Sequence, residues 1–152
     1  MIVNNGREKI GIRLTRKIRP EKSGFMRSNQ FFHAPVMIRK NAIVSVGGYS
    51  EDKRLLRVED FNLWTKLYAV GYIGENIMEG LYEVWEYEET YNRRKFKYRL
   101  NGAYAKILAI KMLKLPAYNL IYVILDVLKG LVPICIYRYF HLSQLKKTTQ
   151  EL

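Results

Sequence analysis

"RVEDFNLWTKLYAVGY" (residues 57–72) sets two adjacent acids, Glu59 and Asp60, at the head of a run made for burial. Leu63, Leu67 and Val70 recur at helical spacing, and Trp64 and Tyr68 form a neighbouring row. Gly71 is a natural stop, so the spacing predicts a helix over 59–70 with the acid pair in its first turn. Acids are favoured there because the free N–H groups and the macrodipole present partial positive charge. On its own the pair therefore reads as a helix start. A catalytic carboxylate beside a cleft is the competing reading, and the rest of the chain has to decide between them.

The flanks supply the remaining elements. Upstream, "KIGIRLT" (9–15) alternates as a strand with Ile10, Ile12 and Leu14 on one face. "EKSGFMRSNQ" reads as loop, and "APVMIRK" (34–40) as a second strand opened by Pro35. Asn41 is placed to cap a short helix through "AIVSV", closed by Gly47-Gly48. Downstream, "YIGENIMEGLYEVWEY" (72–87) offers two short strands around a turn at Glu79-Gly80. From Asn92 to about Leu115 a helix is expected, with Phe96, Leu100, Ala103, Ile107 and Ile110 on one stripe and Pro116 as its end. Its first turns carry Arg93, Arg94, Lys95, Lys97 and Arg99. A last helical region, about 118–141, is interrupted by Gly130 and Pro133, followed by a fraying tail.

Composition narrows the partners. The chain has 152 residues, 49% of them hydrophobic, which is enough for a core. Its 26 Lys and Arg against 14 Asp and Glu leave a net charge of +12, favouring anionic partners such as nucleic acid, acidic lipid or phosphorylated ligands. No RNA-recognition signature, zinc finger or helix-turn-helix accompanies the basic run, which disfavours nucleic acid. One cysteine, Cys135, and two histidines, His33 and His141, form no cluster with zinc spacing. The lone cysteine fits a reducing compartment. Gly47-Gly48 lacks the Lys-Ser/Thr of a phosphate-binding loop. "LIYVILDVLKGLVPICIY" (120–137) is long enough to raise the question of a membrane span. Asp126, Lys129, Gly130 and Pro133 oppose it, each mid-membrane charge costing roughly 2.5–3.5 kcal/mol.

Three segments in order, "FFHAPVMIRKNAIVSVGGYSED", "RVEDFNLWTKLYAVGY" and "LYEVWEYEETYNRRKFKYRLN", resemble the C-terminal half of family 2 glycosyltransferases of the GT-A fold. The resemblance is to the non-processive bacterial type that builds surface polysaccharides. It covers roughly residues 9–115, and the spacing from Gly47-Gly48-Tyr49 to Glu59-Asp60 and Leu63-Trp64 gives it specificity. It implies an α/β fold: a partial GT-A domain over 1–115 with a small mixed sheet and flanking helices, then a helical extension over 116–152.

It also implies roles. Asp60 would be the general base that deprotonates an acceptor hydroxyl, and Glu59 would hold the helix start or orient the base. Gly47, Gly48 and Tyr49 would shape the acceptor pocket, with His33 and Trp64 lining or supporting it. The partners implied are a nucleotide sugar and a saccharide or lipid-linked acceptor. The family's Asp-x-Asp motif, which holds a divalent cation (Mg or Mn) against the donor diphosphate, has no counterpart here, because the aspartates stand only at 52, 60 and 126. The Gln-x-x-Arg-Trp pattern of processive synthases is absent as well. The expectation is an acceptor-side half, from a truncated gene or working with a separate donor-binding chain, inactive alone and binding no metal of its own. The apolar 118–137 region behind a basic helix predicts peripheral binding to anionic lipid, and the resemblance implies that this is at the cytoplasmic, inner face of the membrane. Packing of that region on protein is the other reading. A non-catalytic module that binds a membrane or a partner protein is the alternative function.

Overall fold

The structure, a computed structural model, describes residues 2–5, 8–12, 14–15, 17–85 and 96–131. A three-stranded mixed sheet has the order β2-β1-β3, from β1 (Ile2–Asn5), β2 (Glu8–Ile12) and β3 (Glu83–Trp85). β1 is its centre, antiparallel to β2 with Ile2 opposite Ile12, and parallel to β3 with Val3 opposite Val84. The pairing register shifts between Val3 and Asn4, and Val3 is fully buried. The helices are α1 (Gly24–Arg27), α2 (Lys40–Ser45), α3 (Glu59–Ala69), α4 (Phe96–Met112) and α5 (Leu120–Lys129). Short 3-10 turns stand at Lys53–Leu55 and Ala117–Asn119. The architecture is α/β with a small mixed sheet, compatible with part of a glycosyltransferase domain.

The core gathers on α3. Leu63, Trp64, Leu67 and Tyr68 are buried against Phe25 and Met26 of α1, Phe31, and Ala105, Ala109 and Leu113 of the α4 segment. Aromatic edges organise it: Phe25 meets Tyr68 at 4.9 Å between centroids and Phe61 at 6.0 Å, while Phe31 meets Trp64 at 5.8 Å. The Tyr68 hydroxyl donates to Pro20 O at 3.2 Å and accepts from Gly74 N at 3.1 Å. A Cβ on Gly74 would come within 2.6 Å of the Phe31 ring, so that close approach requires glycine. Burial raises the Tyr68 phenol above its ordinary pKa.

Several sequence expectations are corrected. The central strand β1 was not foreseen, because its four residues show too little alternation to stand out. "KIGIRLT" yields a strand that ends at Ile12, and Leu14 and Thr15 lie outside it. "EKSGFMRSNQ" contains α1, whose Phe25 and Met26 are fully buried. "APVMIRK" forms no strand; it runs without a ladder partner, tucking Val36 and Ile38 against the core. α2 does follow, but Arg39 stands at its N-cap with no side-chain cap, and Asn41 lies inside the helix. Between Tyr72 and Tyr82 there is no strand, and β3 pairs with β1 instead of a hairpin partner across Glu79-Gly80.

α3 and its stop at Gly71 are as expected, except that Val70 is 62% exposed. On the α4 segment Ala105, Ala109 and Leu113 face the core; of the expected stripe Ala103 is buried and Ile110 packs against the core, whereas Phe96, Leu100 and Ile107 are each more than two-fifths exposed. The helix carries apolar residues nearly all round, so spacing could not select its face. Alanines allow the closest helix contact, and that side packs on α3. Lys114 takes a left-handed φ of 53° to end the segment before Pro116. Arg93, Arg94, Lys95, Pro133, Cys135 and His141 lie outside the described residues. Among the described residues no helix is long and apolar enough to cross a membrane.

Candidate functional site

Asp60 stands in the first turn of α3, half-buried. Its Oδ1 accepts the Phe61 N–H at 2.7 Å and its Oδ2 accepts Asn29 Nδ2 at 3.0 Å. One turn further along α3, Trp64 is 4% exposed and underlies the site. The His33 ring lies over this wall, 6.4 Å from the Trp64 ring and 5.9 Å from that of Tyr49. The Tyr49 hydroxyl stands 3.5 Å from His33 Nδ1. Burial, then the negative charges of Asp60 and Glu59, push the Tyr49 phenol above its ordinary pKa. Glu59 Oε2 and Trp64 Nε1 are shut from solvent and have no hydrogen-bond partner among the described residues. Such orphaned buried polar atoms are rare in folded proteins.

The glycine pair explains how Tyr49 reaches this place. At the end of α2, Gly47 N donates to Val44 O at 3.0 Å and Gly48 N to Ile43 O at 2.9 Å. Both residues sit in the left-handed region, at φ 71° and 64°, which a side chain would strain. Lys66 of α3 donates through Nζ to the Gly48 carbonyl and fastens the turn to the helix that carries Asp60. Burial lowers the Lys66 pKa from its ordinary value.

The loop from Tyr49 to the acids is tied to α4. Asn101 Nδ2 donates to Leu56 O at 2.8 Å, and Asp52, Arg54 and Tyr104 form a second tether. The Arg54 guanidinium lies 4.3 Å from the centre of the Tyr104 ring. Asp60, Tyr49, His33 and Trp64 are thus brought together, with Glu59 beside them; Gly47 and Gly48 act through the backbone. Sequence reasoning missed Asn29, Lys66 and Asn101. Their links run through tertiary contacts, and no local spacing marks them.

Among the described residues no three His, Cys, Asp or Glu side chains converge. Asp52 is engaged by Arg54, Asp126 by Lys106, and Asp60 by Asn29 and Phe61.

A half-buried carboxylate at a helix start, walled by Tyr, His and Trp on an α/β unit, is a site suited to taking a proton from a polar ligand. Comparison with known proteins adds a kinship. The chain is 30% identical over 122 residues, 80% of its length, to a Bacillus subtilis (strain 168) protein named "Putative glycosyltransferase EpsE". Over 67 residues it is 31% identical to the "Amylovoran biosynthesis glycosyltransferase AmsE" of Erwinia amylovora. The chain is therefore a relative of proteins named as glycosyltransferases. The matched regions span 44% and 24% of those two relatives, less than half of either. No family model matches the chain, and no solved structure matches it.

Proposed function

We propose that this chain carries the acceptor-side part of an inverting glycosyltransferase of family 2 and the GT-A fold. The reaction is transfer of a sugar from a nucleotide sugar to a saccharide or lipid-linked acceptor in surface-polysaccharide biosynthesis. The observation that carries the reading is the Asp60 carboxylate, half-buried beside Tyr49, His33 and Trp64 in a relative of glycosyltransferases.

A sugar hydroxyl is a weak nucleophile. In this reading its proton passes to Asp60 while its oxygen bonds to the anomeric carbon of the donor. The nucleoside diphosphate leaves with the electron pair of the broken bond. General-base assistance of this kind contributes roughly 10²–10⁴-fold. The Tyr49 hydroxyl and the His33 ring offer polar and aromatic contacts to the acceptor, and Trp64 supports them from beneath. Donor binding, with its divalent cation, belongs to a donor-binding unit, in the same polypeptide or as a separate chain. The work is done at the cytoplasmic face of the membrane, where the apolar side of α5 gives peripheral attachment.

Asp60→Asn tests the reading in the enzyme assayed with its donor-binding unit. Amide for carboxylate keeps the shape and one acceptor oxygen but removes the base, so kcat should fall by about 10²–10⁴-fold with the fold intact. Wild-type turnover in that variant would return the acid pair to a plain helix start.

A further inference from the structure

We infer that Asn29 is a positioning residue for Asp60, holding the carboxylate plane in the orientation from which it takes the acceptor proton. The inference rests on the reading of Asp60 as the base. Its ground is geometric. One Asp60 oxygen is held at 2.7 Å by the Phe61 N–H, and the other is held at 3.0 Å by Asn29 Nδ2, from 31 residues away. With the first anchor alone the carboxylate can still turn about its terminal torsion, which has a broad minimum. A second donor on the other oxygen fixes the plane and leaves a lone pair on each oxygen for a ligand.

Asn29 is exposed, yet its backbone is clamped on the C-terminal side. The neighbouring Gln30 is 7% exposed, and its Nε2 donates to Gly24 O and Ser28 O at 2.8 Å each and to Ser28 Oγ at 3.0 Å. The Gln30 carbonyl accepts Asn76 Nδ2 at 3.0 Å. Phe31 follows immediately, locked into the aromatic core against Phe25 and Trp64. A Cβ on Gly24 would stand 2.7 Å from Gln30 Oε1, so the clamp is closely fitted. Such a framework around one exposed amide aims a donor at a carboxylate, whereas an incidental surface contact needs none of it. The residue type is apt too. Asparagine supplies an N–H donor without charge, where lysine would neutralise the base and aspartate would repel it.

The test compares wild type, Asn29→Ala, Asp60→Asn and the double variant, each with the donor-binding unit present. Misplacing a catalytic group by about an ångström costs up to ~10²-fold, so Asn29→Ala should lower kcat by about 10- to 100-fold. The acceptor KM should stay within about twofold, because the interaction lost serves the transition state. In the Asp60→Asn background, Asn29→Ala should add less than about twofold, there being no base left to orient. An independent, multiplicative loss there, or full activity of Asn29→Ala beside an inactive Asp60→Asn, overturns the positioning role while leaving Asp60 as the base. Wild-type turnover of Asp60→Asn overturns the base itself and the inference with it. A readout free of catalysis accompanies these. The side-chain amide resonances of Asn29 in the 15N-labelled chain should move on Asp60→Asn, and unchanged resonances would show that the contact does not exist in solution.

Discussion

At Asp52 a carboxylate serves structure, and its chemistry makes that measurable. Oδ1 accepts the Arg54 N–H at 2.9 Å and Arg54 Nε at 3.0 Å; Oδ2 accepts Arg54 Nη2 at 2.8 Å and the Tyr104 hydroxyl at 3.3 Å. The Arg54 side chain first, then the Arg54 backbone N–H, hold the Asp52 carboxyl down to about 2. In the unfolded chain an aspartate titrates near 3.9. The folded state thus binds this proton less readily than the unfolded state. The stabilisation is complete above about pH 4 and is lost as the pH falls towards about 2. Asn keeps the capping oxygen but loses the charge. In urea unfolding, wild type should therefore exceed Asp52→Asn at pH 6, by a gap that closes between about pH 4 and 2. A gap of constant size over that range would assign the effect to geometry instead of charge. Both Asp52 and Asp60 follow a turn and precede helical residues, and their spacing alone does not rank them. The family resemblance carried by the Gly-Gly-Tyr and Glu-Asp-x-x-Leu-Trp pattern singled out Asp60, Tyr49 and Trp64, and the histidine before Ala34-Pro35 brought in His33. Asn29 stayed hidden because its partner lies 31 residues away.

Among the elements, α3 was legible because its apolar rows, acidic first turn and terminal glycine all agree, and local signals that agree tend to survive tertiary packing. β1 and α1 were not, since each is four residues long and draws its stability from what it packs on. The face of α4 was misread for a different reason. Its side towards α5 includes Lys106, 11% exposed, whose Nζ lies 2.8 Å from Asp126 Oδ2. Apolar residues nearly all round α4 gave spacing no single face to select, and this buried lysine puts a polar residue where spacing expects an apolar one. The same Asp126 that argued against a membrane span is a tie within the α4–α5 hairpin. Its second oxygen also lies 3.6 Å from Lys129 Nζ, and this produces an asymmetry. Asp126→Asn leaves the Lys106 ammonium without its carboxylate, whereas Lys106→Met leaves Asp126 with Lys129 and a flexible apolar stem in place of the lysine's. Stranding a buried charge costs about 3–5 kcal/mol, and less where water retains some access. Asp126→Asn should therefore lower stability by about 1–3 kcal/mol and Lys106→Met by less than half of that. Equal losses by thermal or urea unfolding would mean that Lys129 contributes nothing to holding Asp126.

Over the whole molecule, positive charge and uncovered apolar surface occur together. Leu120, Ile121, Ile124, Leu125 and Leu128 are between 39% and 54% exposed, and their spacing puts them in one stripe along α5. No residue of α5 is fully buried. Exposed Lys97, Lys111, Lys114 and Lys129 lie on α4, just after it and at the end of α5, in a chain of net charge +12. An apolar stripe on a chain of strong net positive charge meets the two demands of an anionic bilayer interface, acyl contact and headgroup attraction. Vesicles with anionic lipid should therefore bind the chain at low salt. Raising ionic strength should weaken that binding, because the lysine attraction is screened over about 8–10 Å. A salt-resistant remainder should persist in wild type, since insertion of the stripe does not depend on charge. Ile124→Glu with Leu128→Glu should remove that remainder, and both positions are about half exposed, so the fold should be kept. Co-sedimentation over a salt series reads both contributions. Absence of binding at low salt would assign the stripe to a protein partner, such as the donor-binding unit. Retention that the two glutamates leave unchanged would move the membrane contact away from α5.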